Sequence, residues 1–143
     1  MLFIVGAASC KKDEPVDVLT ISAETRAILD NCRNDPLILE TSIKNQLIGN
    51  WELFSYACAG CVPHAPPTAS IRFTENGGTY RYDSEFENVN FDFVWELVPH
   101  AGGDLILNTD PAHYGLAMTN FCPDFMFQDS RAGDGTMHLY KKE

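Results

Sequence analysis

Positive charge is scarce in this chain. Ten lysines and arginines stand against twenty aspartates and glutamates, a formal net charge of −10 over 143 residues. Basic residues stand side by side only at Lys11-Lys12 and Lys141-Lys142. A surface this acidic repels phosphate backbones and anionic head groups, which excludes nucleic acid as a partner. Long apolar runs are also missing. Crossing a bilayer as a helix takes about 20 apolar residues, and the N-terminal apolar run falls well short of that. There is no internal repeat and no low-complexity segment, so the chain reads as one globular domain. No Ser, His and Asp set stands in a nucleophile context. The carboxylates are numerous but dispersed, with nothing to mark a hydrolytic pair. The chain is therefore expected not to be an enzyme and to need no cofactor.

What is present suffices for a core: 45% of the residues are hydrophobic. Residues 21–46 read as a short N-terminal helix followed by an undecided segment. Ser22 caps a helix over Ala23–Asn31, and Asp35-Pro36 stops it. Leu37–Ile43 fits either extended chain or a second short helix, which periodicity alone does not separate. From Leu47 to the C-terminus the pattern changes to short alternating segments divided by turn residues. Leu47, Gly49, Trp51 and Leu53 share a face of the first strand, and Ile71 and Phe73 share one of the second. Glu75-Asn76-Gly77-Gly78 reads as a tight hairpin turn, since Asn-Gly tolerates positive φ. Thr79–Asp83 is the third strand, and Phe91, Phe93, Trp95 and Leu97 alternate in the fourth. Asp104–Asn108, Tyr114–Phe121 and Asp124–Gln128 are weaker strands, and Thr136–Tyr140 is the last. About eight antiparallel strands at this spacing suit a sandwich or small barrel. In a barrel, Trp51, Ile71, Phe73, Phe91, Phe93, Trp95, Met118, Phe125 and Phe127 would line or fill the interior.

The N-terminus has its own signature. Residues 1–9 are apolar, end in Ala7-Ala8-Ser9, and meet Cys10 followed by Lys11-Lys12-Asp13-Glu14. This resembles the lipobox of a bacterial lipoprotein precursor, in which the signal is removed and the cysteine is acylated. By that resemblance residues 1–9 are part of a signal peptide, Cys10 is the lipidation site and residues 10–20 are a tether. The mature chain would then be held to the membrane of the bacterial cell envelope, as an outer-membrane lipoprotein facing the periplasm or the surface.

Gly49-Asn-Trp51-Glu-Leu53 resembles the Gly-x-Trp start of lipocalin-like barrels. With the Phe73–Tyr80 hairpin, Cys122 and Gly135–Tyr140, residues 47–143 resemble a lipocalin-like family of bacterial lipoproteins. The resemblance implies an all-β, antiparallel up-and-down barrel, Gly49 bending the chain and Trp51 plugging one end. It implies no assigned activity. Two functions are weighed on it. The expected one is a structural or interaction module, since about eight bulky aromatics can fill an eight-stranded interior, and the alternative is a binding module holding a small apolar ligand.

Four cysteines remain beside Cys10, an even number that in an exported protein reads as two disulfides. In an up-and-down barrel successive loops alternate between ends. Cys58 and Cys61 follow the first strand at one end, while Cys122 and Cys32 fall at the other. A disulfide needs Cα atoms within about 7 Å, so the expected pairs are Cys32–Cys122 and Cys58–Cys61. Two weaker readings concern Cys58-Ala-Gly-Cys61-Val-Pro-His64. A redox pair would need a helix N-terminus, which this loop composition does not offer. A zinc set would draw on Cys58, Cys61, His64 and either Cys122 or His113, but the matching second Cys-x-x-Cys pair is absent, so no metal is expected. The histidines at 64, 100, 113 and 138 read as scattered, with His138 solvated on the polar face of the last strand. Asp83-Ser-Glu85-Phe-Glu87-Asn88 reads as a solvated acidic turn.

Overall fold

Alternation every second residue builds a meander of eight strands. They are β1 (Gly49–Cys58), β2 (Thr68–Phe73), β3 (Gly78–Asp83), β4 (Asn88–Pro99), β5 (Leu105–Asp110), β6 (Asn120–Cys122), β7 (Phe125–Asp129) and β8 (Thr136–Lys142). The computed structural model describes residues 21–62, 64–132 and 135–143, so Cys10 and the proposed tether lie outside the described residues. The strand order is β5-β4-β3-β2-β1-β8-β7-β6, with every neighbouring pair antiparallel. The result is a nearly closed barrel. β5 and β6 share no ladder. The seam between them is bridged where the Leu107 N–H donates to the Met118 carbonyl at 3.0 Å.

Two helices precede the barrel. Helix α1 (Ala23–Asn34) starts where the Ser22 hydroxyl accepts the Thr25 N–H at 3.0 Å, the expected cap. It packs on the outer wall, where Leu29 and Cys32 bury against Ala57, Cys122, Phe127, Met137 and Leu139. Burying a side chain such as Leu29 is worth about 1.5–3 kcal/mol, enough to hold a helix this short in place. Helix α2 (Glu40–Leu47) settles the segment that periodicity left open. Its Ile43 and Leu47 join the main core with Trp51, Ile71, Phe73, Phe93 and Met118, closing one end of the barrel. Trp51 Nε1–H donates to the Leu47 carbonyl at 2.9 Å, tying helix to strand. The chain turns from α2 into β1 at Gly49, whose φ of +132° no side chain readily adopts.

Some expectations need correction. Leu47 ends α2 rather than starting β1. Tyr114–Phe121 is not one strand: a 3-10 turn occupies Tyr114–Leu116 and β6 begins only at Asn120. Phe125 and Phe127 do not line the interior. They lie in the outer cluster, because α1 covers that face of β7 and makes it a second apolar surface. His138 is not solvated but completely buried. Its neighbours Met137 and Leu139 face α1, so both faces of β8 are covered and the strand has no polar side.

Both disulfides form as expected. Cys32–Cys122 joins α1 to β6 with a Cα separation of 5.4 Å, and Cys58–Cys61 clamps the loop after β1.

Candidate functional site at the open end of the barrel

The middle of the barrel is full. Trp51, Ile71, Phe73, Tyr80, Met118 and Tyr140 are each at most 1% exposed there. Phe91 and Trp95 pack against the same core while staying partly exposed. At the end opposite α2 the interior opens into a cavity of about 520 Å³. Its wall is Tyr56, His64, Tyr82, Phe86 and Tyr114, with Cys58, Cys61, Val62, Ser84, Glu87 and Thr136 around them.

A break in the register of β1 builds one side of this mouth. The pairing of β1 with β8 shifts between Leu53 and Ser55. Trp51 and Leu53 pack into the interior before the shift; after it Ala57 faces α1, and Ser55 accepts a 3.1 Å hydrogen bond from the α1 residue Thr25. A bulge re-aims side chains in this way. The inward position falls instead to Tyr56, whose ring lies 5.2 Å from that of its cross-strand neighbour His138. On β3, regular alternation sends Tyr80 and Tyr82 inward.

A chain of polar groups runs beneath the opening. The Gly115 N–H donates to His113 Nδ1 at 3.0 Å, so that nitrogen is the acceptor. The proton is thereby assigned to Nε2, which donates to Glu87 Oε1 at 3.0 Å. Tyr114 donates its hydroxyl to the same oxygen. Below, Tyr80 Oη lies 3.0 Å from His113 Nδ1, and Tyr140 donates to the Gly115 carbonyl at 2.9 Å. Glycine is required at 115, because a Cβ there would run into the Tyr80 hydroxyl. Nearer the mouth than Tyr140 on β8, His138 Nδ1 faces Gln128 Oε1 at 3.3 Å.

Burial is the first cause that raises the phenol pKa of Tyr56, Tyr80, Tyr82, Tyr114 and Tyr140 above the ordinary value. For Tyr114 the hydrogen bond to Glu87 adds to it. These are all five tyrosines of the chain. Tyr80 and Tyr140 belong to the filled core, while Tyr56, Tyr82 and Tyr114 wall the mouth.

The mouth gathers residues that looked unrelated along the chain. His64 stands 6.0 Å from the Tyr56 ring and 5.2 Å from Phe86, and His113 stacks on Tyr114 at 4.1 Å. Only His100 stays apart, exposed in the β4–β5 turn at the far end. Glu87, placed by sequence in a solvated turn, is half-buried and bonded to two residues of the β5–β6 connection. Tyr56, Tyr82 and Tyr114 were not singled out by sequence reasoning, and Glu87 was named only within the acidic turn. The alternation of Tyr80 and Tyr82 was the available signal for one of them. The zinc set does not assemble: Cys58 and Cys61 are bonded to each other, and Cys122 is bonded to Cys32 at the opposite end. Among the described residues no three His, Cys, Asp or Glu side chains converge as metal ligands. No described helix is long and apolar enough to cross a membrane. No protein-family model matches the chain, and neither a curated protein nor a solved structure matches it.

Proposed function

We propose that this chain is a non-catalytic binding module of the cell envelope, a lipocalin-like barrel anchored through Cys10 that takes a small molecule in its open mouth. One observation carries the reading: an aromatic-walled cavity of about 520 Å³ sits above a filled core, within the size range of ligand sites. The side chains of Trp51, Ile71, Phe73, Phe91, Phe93, Trp95 and Met118 serve as packing, so the ligand belongs at the mouth rather than deep in the barrel. A non-catalytic role is supported by the Tyr80–His113–Glu87 chain. It has the outline of a relay, yet it ends on a completely buried phenol whose pKa burial pushes far up. A structural or interaction role through the outer surface is the second reading, favoured by the filled interior.

Native mass spectrometry of protein extracted in detergent from cells tests the choice. A co-purified small molecule, lost in Tyr82→Ala, is the expected result. Protein that is empty and unchanged by that substitution favours the structural role. Cys10→Ser is expected to release the protein from membranes, and full membrane association of that variant would remove the anchor.

A further inference from the structure

The mouth combines an apolar wall with a single carboxylate, and that combination selects the charge of its ligand. Glu87 Oε1 already accepts two hydrogen bonds, from the His113 imidazole and the Tyr114 phenol. Among the described residues Oε2 accepts no side-chain hydrogen bond, and no lysine or arginine lines the cavity. Any molecule that fills the mouth further covers this half-buried carboxylate. A neutral apolar ligand would strip water from it and return nothing, and an anion would be repelled as well. A cation pairs with it.

The wall suits the same choice. Tyr82 and Tyr114 meet at 78° with centroids 5.5 Å apart, and His64 meets Phe86 at 79° and 5.2 Å. Rings at such angles around one space offer π-faces from different directions, the arrangement that attracts an ammonium group within about 6 Å of a ring centroid. Outside the mouth, a chain of net charge −10 draws cations toward it. We infer that the mouth recognises an organic ammonium ion, its charged head between the rings of Tyr82, Phe86 and Tyr114 and against Glu87. The inference rests on the binding role proposed above and names its ligand class.

The test titrates the protein with benzyltrimethylammonium and with its neutral carbon isostere, neopentylbenzene, following tyrosine NMR signals. The expected result is that the ammonium shifts the signals of Tyr82 and Tyr114 and binds about tenfold tighter than the isostere. Glu87→Gln should cut that preference to about threefold or less, weakening the ammonium and easing entry of the neutral compound, while the rings keep the remainder. Phe86→Leu provides a second variant, since Phe86 is 72% exposed and the fold does not depend on it. It should weaken ammonium binding about threefold. Equal affinity for the two probes, or a preference undiminished in Glu87→Gln, overturns the cation inference and leaves a binding mouth. Failure of both probes to shift any mouth tyrosine overturns the binding role with it.

Discussion

Asp129 receives three charged donors. Arg131 reaches it through Nε and Nη2 at 2.8 Å each, and Arg33 of α1 through Nη2 at 2.6 Å. The hydrogen bonds from Arg131, joined by that from Arg33, hold its pKa down to about 2. A carboxylate near 3.9 when unfolded and lower when folded stabilises the native state above the unfolded value. That contribution is lost as pH falls from about 4 toward 2. Urea melts of the wild type and Asp129→Asn should therefore differ at pH 6 and converge across this acid window; a constant gap would mean that Asp129 acts by packing alone. Arg131 is only two residues from Asp129, but the contact with Arg33 was not visible along the chain, because Arg33 and Asp129 are 96 residues apart. Glu87 was read as part of a solvated turn for the same reason, its partners being supplied by the β5–β6 connection.

At the scale of elements, α2 shows how little of the barrel's closure periodicity can express. Its eight residues bury only Ile43 and Leu47, too few to mark a helical face. What fixes it is contact with β1 and the C-terminus. Trp51 donates to the Leu47 carbonyl, while Lys142 Nζ donates to the Gln46 carbonyl at 2.6 Å, near the helix C-terminus where a cation is favoured. Trp51→Phe removes one hydrogen bond and part of a fully buried ring. It should cost about 1–3 kcal/mol in denaturant unfolding, with α2 gaining hydrogen exchange first. A loss confined to global stability, with α2 amides still protected, would show that the helix is held by other contacts. The strands with one covered face, β2 to β4, were legible from alternation. β7 and β8 were found as strands, but their faces were misjudged because α1 covers their outer side, so apolar residues on both faces removed the contrast on which alternation depends. The β1 bulge likewise changes which residues point inward after Leu53, and no residue type announces it.

For the whole molecule, the two disulfides mark the two ends of the barrel, and their pairing was legible because parity is a property of topology rather than of any one strand. Cys32–Cys122 spans 90 residues of sequence. Closing so long a loop restricts the unfolded chain enough to stabilise the native state by about 4 kcal/mol. The double variant Cys32→Ser with Cys122→Ser should lower the unfolding free energy by that order in a denaturant titration. A change of less than about 1 kcal/mol would mean that the cross-link constrains little that packing does not already constrain. The pairing of β8 with β1 also imposes a timetable. Trp51 waits for Lys142, and Cys58 for Thr136, before the first strand has its second neighbour. A chain leaving the ribosome from its N-terminus can therefore assemble the β1–β5 meander early, yet cannot close the barrel until β8 emerges. Such closure between distant parts of a chain places folding among the slower, millisecond-to-second processes, and any chain cut short before β8 presents two open strand edges to its neighbours.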